Sequence, residues 1–281
     1  MTRDPLRIAL QVGLFLLFYF LTASLLGPLL LWLGRDFVGI LLTALIAAAV
    51  TNSLCMRIYE SRGLTDVGLN WNREAGRHVL VGTAAGLVCA ALVLTGPLLF
   101  RAASFTATKG SGANWRTLLF VPVLLMCGAA GEELLFHGYA FQILLRNFGP
   151  FATILPVGVL FAAGHYYNPN VSNLGLVNTA GFGILFGYAF LRSRDLWLPC
   201  GLHFGWNLAL PLFGVNLSGL TMRVTGYEMT WSVGSLWSGG AYGPEASILT
   251  SAILLLLGLF LWRFPFHPQH AYLLEAPEEQ S

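Results

Sequence analysis

The sequence predicts an all-α polytopic membrane bundle of about eight spans, and three observations predict it. Fully 56% of the 281 residues are hydrophobic and only 10% are charged. Mean hydropathy is +0.69. The apolar residues fall in long runs rather than in the alternation of strands. About half of an ordinary soluble domain is polar or charged, so a water-soluble fold could not hide this much apolar surface. The whole chain, 1–281, reads as a single membrane domain.

A span needs about 20 apolar residues. Taken in order, the runs are roughly 8–33, 37–56, 79–100, 117–146, 151–167, 174–191, 197–214 and 246–263. The first follows Arg3 and Arg7 and is longer than a signal-peptide core, with no A-x-A pattern behind it; it reads as a retained span. Residues 57–78, with Trp71 among arginines, fit an interfacial amphipathic segment or a solvated loop. Pro28, Pro97, Pro122, Pro156, Pro199 and Pro211 lie in or beside spans, where membrane helices accept them. Gly82 and Gly86, Gly183 and Gly187, and Gly201 and Gly205 are small-xxx-small pairs that let helices approach. The Gly-, Ser- and Trp-rich stretch 216–245 reads as an outer loop able to fold back on the bundle. The tail after Arg263 reads as disordered.

Ten of the 15 Lys and Arg fall on the side of the N-terminus and five on the other. That bias puts both termini in the cytoplasm, and the localisation expected is an integral protein of a bacterial inner (plasma) membrane. Scattered single cations and a net charge of +2 make no nucleic-acid surface. The four cysteines lie in apolar runs without CxxC spacing and read as buried thiols. Nothing in the sequence sets an oligomeric state.

The chemistry should lie in the few ionisable groups within the spans. Glu132 and Glu133 sit in the run Thr117–Leu145, whereas the other eleven acids fall in predicted loops or tails. An acid at mid-bilayer costs at least ~2.5–3.5 kcal/mol and faces a partner or a wet cavity. Of the six histidines, His137, His165 and His203 fall within spans, while His78, His267 and His270 fall outside. Glu133 and His137 are four apart and share a helix face, as do Phe161 and His165, and His203 and Asn207. Glu132 and Glu133 point about 100° apart. Counted along their helices at ~1.5 Å per residue, Glu132, His165, His203 and Asn207 lie at depths within about 12 Å of one another. Each group alone could be interhelical glue. Together they suit one mid-membrane cavity, where a Glu serves as base for water and His and Asn donors hold an oxyanion. There is no GxSxG and no HExxH. Glu132, His165 and His203 could also ligate zinc, and that alternative stays open.

At these residues the chain resembles the CAAX prenyl endopeptidase and bacteriocin-processing membrane proteases, also called the CPBP or Abi family. Glu132-Glu133-Leu-Leu-Phe-His137-Gly138 is similar to its EExxxR helix. Phe161-Ala-Ala-Gly-His165 is similar to its FxxxH helix, and His203-Phe-Gly-Trp-Asn207 to its HxxxN/D helix. The resemblance covers about 117–210. It implies an intramembrane endopeptidase acting on a membrane-associated peptide or protein. Glu132 and His165 would activate water, His203 and Asn207 would hold the oxyanion, Glu133 would organise the site, and His137 and Phe161 would support it. Where the family has Arg, this chain has His137, which cannot fork to a carboxylate in two bonds. Two other readings are a non-catalytic scaffold or immunity-type protein and a proton-coupled transporter.

Overall fold

The computed structural model describes residues 4–108, 113 and 115–275, with the side chains of 34–36 excepted. Arg3, Lys109, Glu278 and Glu279 of the charge pattern lie outside the described residues. The chain is helical, as its hydropathy predicts. The helices are α1 (Pro5–Cys55), α2 (Arg73–Leu99), α3 (Trp115–His137), α4 (Tyr139–Phe148), α5 (Pro150–Gly164), α6 (Asn173–Ser193), α7 (Trp197–Leu212), the single turn α8 (Ser235–Ser238) and α9 (Ile248–Arg263). Five segments are long and apolar enough to cross a membrane: Pro5–Leu33, Phe37–Glu60, Arg73–Leu99, Trp115–Phe148 and Asn173–Ser193. The other three expected spans are the shorter helices α5, α7 and α9, of 15, 16 and 16 residues. The protein is an integral membrane protein, and its lipid-side surface is a belt of exposed Leu, Phe and Val such as Leu80, Leu92, Val159 and Leu255.

α1 is one helical run that doubles back. A Cβ on Gly39 would stand 2.7 Å from the carbonyl oxygen of Leu30, nine residues earlier, which a straight helix would hold over 13 Å away at ~1.5 Å per residue. Its two arms are therefore the first two predicted spans. The fourth predicted span is broken where hydropathy showed no interruption. The helix stops at His137, and Gly138 turns the chain into the amphipathic α4. Asn52, buried in the second arm of α1, replaces the lost helical bonds: its Nδ2 donates to Leu134 O (3.0 Å) and its Oδ1 accepts from Tyr139 N (2.7 Å).

α2 and α7 pack backbone to backbone. A Cβ on Gly82 would meet Leu198 O at 2.6 Å, and one on Gly201 would meet Val79 O at 2.6 Å. The expected glycine pairs thus act as packing seams, and they set α7 deep in the bundle.

Four sequence expectations change. His78, read as outside the spans, is buried near the start of α2 with Nδ1 2.5 Å from Asp195 Oδ2. Asp195 in turn accepts from the backbone N–H of Trp197 and Leu198 and opens α7. Residues 57–78 are not wholly solvated: Trp71 is exposed, but the 3-10 turn Leu64–Val67 buries Val67, and Gly68 O accepts from Leu196 N. The tail read as disordered packs on the bundle over its described residues, 264–275: Phe266, Ala271 and Leu273 are buried, and Gln269 N donates to Ser193 O. A two-stranded antiparallel ribbon, β1 (Ala103–Ala107) with β2 (Tyr227–Trp231), was not foreseen. The stretch 216–245 does fold back, burying Leu217, Val224, Tyr242 and Glu245.

Candidate active site

A cavity of about 970 Å³ runs from the two arms of α1, past Glu132, to the folded-back segment. Glu132, His165, His203 and Asn207 all line it. Each comes from a different local device. Glu132 sits on α3 six residues before the break at Gly138. His165 is the C-cap of α5, one residue beyond a helix that ends at Gly164 and not at 167 as expected. The chain then turns through Asn168 and Pro169, which also line the cavity. His203 and Asn207 are one turn apart on α7, held deep by the glycine seam with α2.

Glu133 points away from the cavity and is fully buried. Its Oε2 lies 2.6 Å from His137 Nδ1 and its Oε1 2.8 Å from His203 Nδ1. Two ring N–H groups, one to each oxygen, make this buried carboxylate tolerable. The His137 ring contributes a single bond, and its Nε2 is buried without a hydrogen-bond partner among the described residues. The helix-face pairing of Glu133 with His137 is present, and it extends across to α7.

The tautomers follow from the acceptors. His165 Nδ1 lies 2.8 Å from Phe161 O, a carbonyl that can only accept, so Nδ1 carries the proton. By the same reasoning His203 Nδ1–H donates to Glu133. Both rings therefore turn Nε2 toward the cavity, and both aim at one atom. Glu132 Oε2 is 3.7 Å from His165 Nε2 and 3.9 Å from His203 Nε2, with no direct hydrogen bond among the described residues. Polar atoms at that spacing are too far for a direct bond and suit a shared water. Phe161 braces the pair: its ring lies 4.9 Å from that of His165 and 5.9 Å from that of His203. Phe186 stacks on His203 at 4.9 Å.

For zinc, Glu132, His165 and His203 are the right kinds of ligand and share a focus. Two ligands ~2.0–2.1 Å from a tetrahedral zinc stand roughly 3.3 Å apart, closer than these separations. Among the described residues no group of three His, Cys, Asp or Glu is arranged to hold a metal ion.

A further acid was missed from sequence. Glu245, only 7% exposed, lines the same cavity from the folded-back segment. Nothing in its polar, glycine-rich surroundings marked it; the Trp, Tyr and Pro around it were the only signal that the segment could be buried.

Residues 114–209 match the family model described as type II CAAX prenyl endopeptidase Rce1-like. No curated protein matches the chain. The match covers the three motifs from Glu132 to Asn207.

Proposed function

We propose, from the family match over residues 114–209 and the geometry around Glu132, that this chain is an intramembrane endopeptidase that hydrolyses a peptide bond with a glutamate-activated water. The observation that carries the reading is that two imidazole Nε2 atoms from separate elements aim at one carboxylate oxygen, Glu132 Oε2, at 3.7 and 3.9 Å. A water at that focus gives a proton to Glu132 as its oxygen attacks the scissile carbonyl carbon. His165, tethered by its Nδ1–H, orients the water. The carbonyl oxygen becomes an oxyanion, for which His203 and Asn207 are the donors on α7. Since His203 Nδ1–H is committed to Glu133, His203 can donate through Nε2 only as the imidazolium, and the buried Glu133 carboxylate is the counter-charge that favours it. Glu132 then returns its proton to the leaving nitrogen, the C–N bond breaks, and a carboxylate and an amine remain.

The cavity is mostly apolar and is lined by both arms of α1, which suits a peptide carried on a lipid-like group. Both termini face the cytoplasm of a bacterial plasma membrane in this reading, with the arginine bias as its support.

The test uses purified protein in nanodiscs and a library of membrane-anchored peptides, with products read by mass spectrometry. Glu132→Ala and His165→Ala should each lower cleavage by about 10²–10⁴-fold, the range for a general base and its partner. Cleavage at the parent rate in both variants would end the proposal. Metal analysis of the same preparation, with cleavage assayed after chelation, decides between zinc and the glutamate route; the glutamate route predicts that cleavage survives.

A further inference from the structure

Glu245 lies in the 3-10 turn Pro244–Ala246, immediately before α9. Its carboxylate is fully engaged. Oε1 accepts from Trp206 Nε1 at 3.3 Å. Oε2 accepts from the backbone N–H of Ser218 and from the Ser218 hydroxyl, the latter at 2.9 Å. A buried carboxylate is tolerated only when its oxygens are satisfied in this way. Burial still pushes the Glu245 carboxyl above the ordinary carboxylate range, while the Ser218 donors pull it down. The turn is itself pinned to α6: Asn178 Nδ2 donates to the carbonyls of Glu245 (2.8 Å) and Ser247 (2.9 Å).

What Glu245 grips matters for the site. Trp206 is 2% exposed, packs on Phe182 at a centroid distance of 4.7 Å, precedes Asn207 and follows His203 by three residues. Ser218 holds a left-handed backbone conformation (φ 50°), uncommon for a residue with a side chain. It lies between Leu217 and Gly219, on the part of the folded-back segment that lines the cavity beside Leu220. One carboxylate thus joins the helix that carries the oxyanion donors to the wall that closes the cavity. With both oxygens committed to Trp206 and Ser218, it is not placed to act on substrate.

We infer that Glu245 is a positioning residue: through Trp206 it fixes the His203–Asn207 face of α7, and through Ser218 it holds residues 217–220 as the wall that closes the cavity on that side. The inference rests on the protease reading for its effect on rate, but its effect on cavity access does not depend on that reading.

The test uses the full chain in nanodiscs. Glu245→Gln replaces one of the two acceptor oxygens by an NH2 group, so either the Trp206 N–H or the Ser218 N–H, which bond different oxygens, loses its acceptor. Trp206→Phe removes the link from the other end and guards against a poorly folding Glu245 variant. Each single variant should lower kcat about 10–100-fold, as for groups that orient catalytic ligands, with KM within about threefold. The double variant should be no slower than the slower single within about twofold, because both changes break one linkage. Ser218→Ala keeps the backbone donor and should stay within about threefold of the parent. Unchanged kcat in both single variants, or effects that multiply in the double, would overturn the inference.

A second arm needs no activity. Thr179, buried on α6, lines the cavity. Thr179→Cys, labelled with a membrane-impermeant maleimide and corrected for the four native cysteines, should react at least about fivefold faster when Glu245→Gln is added. Equal rates would overturn the wall. Should the parent show no Glu132-dependent cleavage, the protease reading fails while the labelling comparison still decides the role of Glu245.

Discussion

Glu133 and Glu132 are neighbours in sequence and opposites in environment. Glu133 is wholly buried and accepts from two rings; Glu132 keeps an oxygen that two rings face across a gap. One residue is suited to organise and the other to react. Glu133→Gln tests the division. An amide has one acceptor oxygen for the N–H groups of His137 and His203, so one donor loses its partner in a buried place, at about 1–3 kcal/mol. His203 also loses its counter-charge. The thermal midpoint should fall by several degrees, and cleavage should fall about 10–100-fold, while Glu132→Gln should abolish cleavage and leave the midpoint near that of the parent. The residues of this pair were legible because acids and histidines are rare in apolar runs. His137 was legible as a partner of Glu133, but the bond from Glu133 onward to His203 was not, since it joins residues 70 apart on separate helices. Glu245 was illegible for a different reason: its burial comes from a connection folding back, and hydropathy reports composition, not the path of a loop.

Among the elements, the break between α3 and α4 sets the depth of Glu132. It falls at Gly138, where a Cβ would overlap Leu134 O and Asn52 Oδ1. Sequence reading carried one span through this point, because an apolar run looks the same whether the helix continues or turns. The signal lay in Asn52, a polar residue of the second predicted span that had no assigned partner. Its side chain serves the carbonyl and the N–H that the break exposes. Asn52→Ala should leave both groups unsatisfied at about 1–3 kcal/mol each. The expected result is a clearly lowered thermal midpoint together with reduced cleavage, because α3 loses the stop that lies six residues beyond Glu132 and sets its depth. A midpoint equal to that of the parent would mean that the break is held by other contacts. The hairpin in α1 was readable from spacing alone, since two apolar runs flank Gly34, Arg35 and Asp36. The ribbon was not, because two five-residue strands far apart in sequence leave no local pairing signal.

At the scale of the whole molecule, the cavity joins the polar focus to the lipid side. Its walls near α1 are apolar: Phe15, Leu16, Phe20, Ile40 and Leu160 line it, with Leu16, Phe20, Ile40 and Leu160 exposed and Phe15 buried. The first arm of α1 packs loosely along most of its length and is tied down near one end, where Gln11 Nε2 donates to Tyr139 Oη at 2.8 Å and Tyr139 Oη donates to Glu60 Oε1 at 3.0 Å. A cleft so lined excludes water and gains roughly 25 cal/mol for each Å² of apolar substrate surface it covers. The scissile bond must still reach Glu132, so a substrate anchored by an apolar group has its anchor between α1 and α5 while its peptide meets the polar end. Narrowing the apolar end should then discriminate between substrates. Leu160→Trp, at a residue of α5 that is exposed where its neighbour Phe161 is buried, should raise KM at least about tenfold for a peptide bearing a long apolar group, equivalent to about 1.4 kcal/mol. The same change should leave kcat within about threefold and barely alter the slow cleavage of the same peptide without its apolar group. Equal effects on both peptides would place the anchor elsewhere and leave the apolar walls with a purely structural part.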